Sequence, residues 1–275
     1  MSQSVEETTP FFSAVIITYN RLPLLKKAVE SILSQSETDF ELIIVDNHST
    51  DGTADWVNEL GVRDPRVRLE MIHNDGVIAR SRNLGIAKAR GRYVAFLDSD
   101  DEWMPDKLLE SRALLEQNPD AIGLCHGEFH DNGTDRKPVH YGPYDNNLTK
   151  QMLTKGSKLS PSASVISTQA YRVVEGFSEQ EDVVTAEDYD TWIKLSRLGR
   201  ILYLRQMLGV FRIHDDNMSG NLIRNYNSAQ RVVISQIDEE IKSSSLSSKV
   251  YWSLHKVLWK LRFSRLIWKA RLNKS

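Results

Sequence analysis

Four short runs of β-branched and aromatic residues constrain this chain most. They are 13–18 (SAVIIT), 40–45 (FELIIV), 67–72 (VRLEMI) and 93–97 (YVAFL), and each reads as a strand, the first of them buried. Between them lie segments with apolar residues three and four apart. In 22–33, Leu24, Leu25, Ala28, Val29 and Ile32 share one helical face. A helix starting near Thr53 carries Trp56, Val57 and Leu60, and another over 78–89 carries Ala79, Ile86 and Ala87 before Gly91 breaks it. Alternating strands and helices mean βαβ units and a mostly parallel sheet. Polar clusters follow Thr18, Val45 and Leu97. In open α/β sheets, ligands bind beyond the carboxyl ends of the strands, so the binding cleft is expected there.

The second half is less regular. The pattern predicts helices over 108–117, 186–198 and 221–242, and strands over 164–167 and 201–211. The polar stretch 131–147 reads as a loop or mobile flap. A length of 275 residues suits one large α/β domain, or one domain with a small appendage. The single cysteine, Cys125, excludes an internal disulfide and fits a reducing compartment. No apolar run reaches the roughly 18 residues of a membrane-spanning helix. The polar start, with Glu6 and Glu7, lacks the apolar core of a secretory signal. A cytoplasmic protein is therefore expected, one that can also sit on a membrane from the cytosolic side.

Four acidic or histidine-bearing segments carry the chemistry. Asp98-Ser99-Asp100-Asp101 crowds three carboxylates after a strand. They would repel one another unless a hard divalent cation such as Mg²⁺ or Mn²⁺ were bound there, although an acidic helix start is the plain alternative. Asp46, at the end of its strand, can accept hydrogen bonds from a nucleotide's base or ribose, or it and its neighbours can cap a helix. Asp188, in AEDYDTW (186–192), lies where a helix begins and can act as a general base or as an acidic cap. His214, in FRIH (211–214), can complete a metal shell or serve a turn.

In order and spacing these pieces resemble the family 2 glycosyltransferases. The matching segments are VIITYNR (15–21), VDNHSTDGT (45–53), ARSRNLGIAKARGRYVAFLDSDDEW (79–103), Gly176-Phe177, AEDYDTW and FRIH. The resemblance implies the GT-A fold, an α/β architecture with a mostly parallel central sheet flanked by helices and a C-terminal helical extension. It implies a tail over 1–12, a catalytic domain over 13–220 (nucleotide-sugar half 13–103, acceptor half 104–220) and an extension over 221–275. It also implies an inverting transfer from a nucleotide-sugar donor, with UDP the expected nucleotide, to a saccharide acceptor. By the same resemblance, Thr18, Tyr19 and Asn20 would line the nucleoside pocket and Asp46 would hold the base. Arg82 and Asn83 would lie beside the nucleotide. Asp98-Ser99-Asp100 would be the DxD motif, with Asp100 and His214 on the metal, Asp98 facing ribose or metal, and Asp188 the base. Ser81 stands where a small residue is usual, and GFSE replaces the commoner GFDE.

Rival readings are a sugar nucleotidyltransferase, a dehydrogenase and a binding protein without catalysis. No glycine-rich loop follows the first strand, which disfavours the first two. Intact Asp98, Asp100, Asp188 and His214 argue against the third.

Charge is unevenly distributed. Residues 241–275 hold nine Lys/Arg and no Asp or Glu, and three of the six tryptophans. The tail is thus near +9 and the remainder near −11. Within 249–275, Trp252, Trp259 and Leu266 recur every seven positions. A basic, Trp-rich helix fits an anionic membrane surface; packing on the catalytic domain is the alternative. The membrane reading would suit a lipid-linked acceptor, a peripheral location on the cytosolic face of the inner membrane, and assembly of bacterial surface polysaccharide. No nucleic-acid partner is expected, because the body is acidic.

Overall fold

The computed structural model describes residues 9–144, 146–214 and 222–272. Most of the expected tail over 1–12, and the expected boundary at 220/221, lie outside them. Strands β1 (Phe12–Thr18), β2 (Phe40–Asp46), β3 (Val67–Met71) and β4 (Tyr93–Asp98) alternate with helices α1 (Leu22–Leu33), α2 (Thr53–Arg63) and α3 (Ile78–Lys88). The strands run parallel in the order β3-β2-β1-β4. Every residue of β1 and β2 is buried, as a sheet covered on both faces requires. Gly85 lets α3 lie directly on β1, since a Cβ there would sit 2.4 Å from Val15 Cγ1. The chain steps from β1 outward to β3, then returns to β4 on the other side of β1. A crevice opens where the direction switches, at the ends of β1 and β4, where Ile17 lies opposite Asp98.

Beyond β4 the sheet becomes mixed. β8 (Ser164–Ser167) runs antiparallel between β4 and β6 (Ala121–Asp131). β9 (Arg200–Arg212) is parallel to β6, and β5 (Glu102–Trp103) pairs with β9. The expected 131–147 flap is partly strand: β7 (Arg136–Val139) folds back on β6 as a hairpin. Its turn is fixed locally, because Asn132 Oδ1 accepts the amides of Thr134 and Asp135 and Gly133 adopts a left-handed φ of 82°.

α4 (Lys107–Gln117) covers one face of the sheet; α5 (Leu148–Lys155), α6 (Thr168–Val173) and α7 (Glu187–Leu198) lie on the other. The second face has a core of Val15, Val45, Phe96, Tyr171, Phe177 and Trp192. That core continues into α8 (Leu222–Ser243) and α9 (Leu246–Leu272) through Val233, Ile237, Trp252, Trp259 and Phe263. The C-terminal tryptophan face therefore packs on the catalytic domain, and Trp259 Nε1 donates to the Leu153 carbonyl at 2.5 Å. Among the described residues no helix is long and apolar enough to cross a membrane.

Burial on one side of α9 only makes a sharp contrast. Trp259→Ala should cost about 3–5 kcal/mol, the usual range for truncating a buried aromatic, whereas Leu258→Ala, at a residue 58% exposed, should change stability by less than about 0.5 kcal/mol. Equal effects in urea unfolding would contradict this docking of α9.

Candidate active site

At the crevice lies a cleft of about 410 Å³ lined by the ends of β1 and β4, the start of α3 and the start of α7. Thr18, Tyr19, Arg82, Asp98, Ser99, Asp100 and Asp188 all line it. The floor is a buried bridge: Arg82, on α3, donates from Nη1 to Glu187 Oε1 at 2.7 Å and from Nη2 to Asp98 Oδ1 at 3.3 Å. Glu187 Oε2 accepts the Thr185 amide at 2.8 Å. Both oxygens of Glu187 are therefore held, and its neighbour Asp188 borders the cleft at the N-terminus of α7.

The electrostatics follow from this packing. Burial opposes the Arg82 charge, but Asp98, Glu187 and Asp188 outweigh it and raise the pKa of the guanidinium, so it stays protonated. Burial, reinforced by Asp100 and Glu187 against the pull of Arg82, raises Asp98 above the usual carboxylate range. Burial and the adjacent Glu187 push Asp188 up to about 7. An acid tuned near neutrality is what proton abstraction at physiological pH requires.

The three clustered carboxylates divide into different tasks. Asp101 is buried, accepting from Ser162 Oγ at 2.7 Å and from the Arg212 amide at 3.0 Å. It fastens the β4 loop to the end of β9. Asp100 Oδ2 instead meets His214 Nε2 at 2.8 Å and Arg21 Nη1 at 2.5 Å. One cation with about 2.1 Å bonds places adjacent ligands roughly 3 Å apart, so the Asp100–His214 pair has a spacing that fits. Among the described residues no three His, Cys, Asp or Glu side chains form a complete metal cage. A partial protein shell suits Mg²⁺ or Mn²⁺, which retain waters and bind substrate phosphates.

Other expected residues lie beside the cleft rather than on its wall. Asp46 is fully buried and accepts from the backbone and hydroxyl of Ser49. Asn20 Oδ1 accepts the Thr50 amide at 2.7 Å, and the Asn20 amide donates to Ser49 Oγ at 2.8 Å. Together they lock the β1–α1 loop to the β2–α2 loop beside Tyr19, a residue 56% exposed. Asn83 turns away from the cleft. It brackets Phe177, accepting its amide and donating to its carbonyl, and it also donates to Glu179. Residues 215 and 216, after His214, lie outside the described residues.

Several site residues escaped sequence reasoning. Arg21, Glu187 and Ser162 act through partners from 61 to 105 positions away, which no local pattern reveals. Thr185 holds a φ of 80°, a strained value for a β-branched residue, at the edge of the cleft.

Comparison with known proteins gives this geometry a family. The signature described as Glycosyl transferase family 2 matches residues 13–175, more than half of the chain. The chain belongs to glycosyltransferase family 2. The transferase is 28% identical over 218 residues to Bacillus subtilis TuaG, named for teichuronic acid biosynthesis, covering 77% of this chain and 82% of that protein. It is 28% identical over 255 residues to the chondroitin synthase of Pasteurella multocida, covering 88% of this chain but only 24% of the synthase. Among solved structures, S. aureus TarS 1-349 superposes with a TM-score of 0.71 at 22% identity, covering 92% of this chain and 72% of that one. A mannosyltransferase from Pyrobaculum calidifontis, in complex with GDP-Man and Mn²⁺, gives 0.62 at 18% identity, covering 97% and 76%. These likenesses establish the GT-A fold of the transferase.

The buried bridge sets a stability test. Arg82→Leu leaves Glu187 and Asp98 without their counter-charge, and losing one partner of a buried pair costs about 3–5 kcal/mol. Urea unfolding at neutral pH measures it; a loss below about 1 kcal/mol would contradict the bridge as the floor of the site.

Proposed function

We propose that the transferase moves a sugar from a UDP-linked donor to a saccharide acceptor with inversion at the anomeric carbon. The observation that carries this reading is the meeting, in one cleft, of a near-neutral carboxylate, Asp188, with Asp100, whose Oδ2 lies 2.8 Å from His214 Nε2. TarS has been solved in complex with UDP and with UDP-GlcNAc, which supports UDP. The Mn²⁺ in the mannosyltransferase complex supports a metal. The names of TuaG and the chondroitin synthase support a role in bacterial surface-polysaccharide assembly. The acceptor is lipid-linked and met at the cytosolic face of the inner membrane.

In this reading Tyr19 stacks its exposed ring on the base, with Thr18 beneath it, and Asn20 and Asp46 hold the loops that position both. Arg82 keeps Asp98 oriented toward the ribose or metal beside Ser99. Asp100 and His214 would hold Mg²⁺ or Mn²⁺, which when bound neutralises charge developing on the departing diphosphate. Asp188 accepts the proton of an acceptor hydroxyl. That oxygen bonds to the anomeric carbon as the carbon–phosphate-oxygen bond breaks on the opposite face, and the nucleoside diphosphate leaves. An α-linked donor thus yields a β-linked product. Glu187, fully engaged by Arg82 and the Thr185 amide, is left to position its neighbour.

The test is release of nucleotide from a panel of nucleotide sugars, with Mn²⁺ and with EDTA, with and without lipid-linked acceptors. Metal-dependent release from a UDP-sugar, abolished by Asp100→Ala, is expected. Asp188→Asn should retain donor binding while losing about 10²–10⁴-fold in transfer. Because the Asp188 carboxyl is raised to about 7 and only its ionised form is a base, log kcat/KM should rise with pH up to about 7 and then level. Normal transfer by Asp188→Asn, or a flat profile from about pH 5 to 8, would overturn the base assignment. Failure to bind any nucleotide sugar with metal present would overturn the transferase reading itself.

A further inference from the structure

Helix α9 is apolar on two opposite faces. On the inner face Trp252, Trp259 and Phe263 are buried in the domain core. On the outer face Val250, Leu254, Val257, Leu261 and Trp268 follow one another at spacings of four, three, four and seven, which at 3.6 residues per turn forms a single stripe. These side chains, with Leu258 beside them, are between 55% and 64% exposed. From Val250 to Trp268 the stripe runs about 27 Å at 1.5 Å per residue. Docking on the domain uses the inner face and gives no reason for the outer one.

Charge frames the outer stripe. By helical position Lys249 and Lys260 flank one side, Arg262 and Lys269 flank the other, and Arg265 lies within it. Lys260, Arg262, Arg265 and Lys269 are exposed. Nothing acidic occurs anywhere in 241–275. We propose that this outer face of α9 is the surface on which the protein lies against an anionic bilayer, an inference that rests on the membrane location proposed above. A long apolar stripe between two cationic rims matches an interfacial helix, with apolar side chains below the headgroups and lysine and arginine stems reaching back to them. Trp268 sits at one end of the stripe, where an amphipathic ring favours the interface. A second copy of this chain fits poorly, because a symmetric contact through the stripe would set cationic rims against each other.

The test uses the full chain with vesicles of phosphatidylcholine containing phosphatidylglycerol, and of phosphatidylcholine alone. Wild type should co-sediment with the anionic vesicles and release at about 1 M salt, where screening acts within roughly 3 Å. The double variant Leu254→Glu/Leu261→Glu should bind at least about ten-fold more weakly, with circular dichroism and donor hydrolysis in solution unchanged. Lys260→Gln/Lys269→Gln, which touches no core contact, should weaken binding to anionic vesicles alone. Absence of wild-type binding, or undiminished binding by both double variants, would overturn the proposal. So would a concentration-dependent dimer that the Leu→Glu pair dissociates. Donor hydrolysis reports the transferase reading separately, so lost vesicle binding with intact hydrolysis sinks only the surface.

Discussion

The buried guanidinium of Arg82 ties the two halves of the site together. It reaches Asp98 at the end of β4 with one nitrogen and Glu187 at the start of α7 with another. Those two elements come from opposite halves of the fold, and both line the cleft. Around a lone buried cation, three acids would be an unstable excess of negative charge if all were ionised. The arrangement meets this by raising Asp98 and Asp188 above the ordinary range. The same burial that makes the bridge structurally costly thus creates a carboxylate poised near neutrality. Stability and chemistry share one cause.

The acidic run after β4 shows how little can be inferred from charge count. Asp98 leans on Arg82, Asp100 faces Arg21 and His214, and Asp101 is buried as a tie between β4, Ser162 and β9. Asp101, with burial, Asp98 and Glu128 driving its carboxyl well above the usual range, acts as a fastening and not as a ligand. By accepting the Arg212 amide it ties the segment after β4, which carries Asp100, to the end of β9, beyond which His214 follows.

The parallel half of the fold is legible in the sequence because β1, β2 and β4 are largely apolar runs, the edge strand β3 alternates, and the helices between them keep three-four spacing. β6 is not. In AIGLCHGEFHD the buried His126 and Glu128 interrupt the apolar pattern, and Gly123 is needed where a Cβ would lie 2.4 Å from the Val165 carbonyl. Neither alternation nor a hydrophobic run survives there. β7 is short and polar, and only its partner makes it a strand. At the site, Asp188 and Asp100 stand out only through the family resemblance, because an acid at a helix start reads equally well as a cap. The burial of Asp46 under Ser49, the turn of Asn83 toward Phe177 and the bridge through Arg82 depend on contacts made across the fold. The tail's charges look unsegregated in sequence because α9 has two apolar faces, one committed to the core and one open.

In the proposed mechanism Asp100 and His214 would jointly hold a divalent cation that carries the donor's diphosphate. This is tested most directly by Mn²⁺ binding followed by electron paramagnetic resonance, with UDP present, in wild type and His214→Ala. One tightly bound Mn²⁺ is expected, with an affinity that falls at least about ten-fold in the variant while protein stability is preserved. Equal Mn²⁺ affinity in both proteins would contradict it.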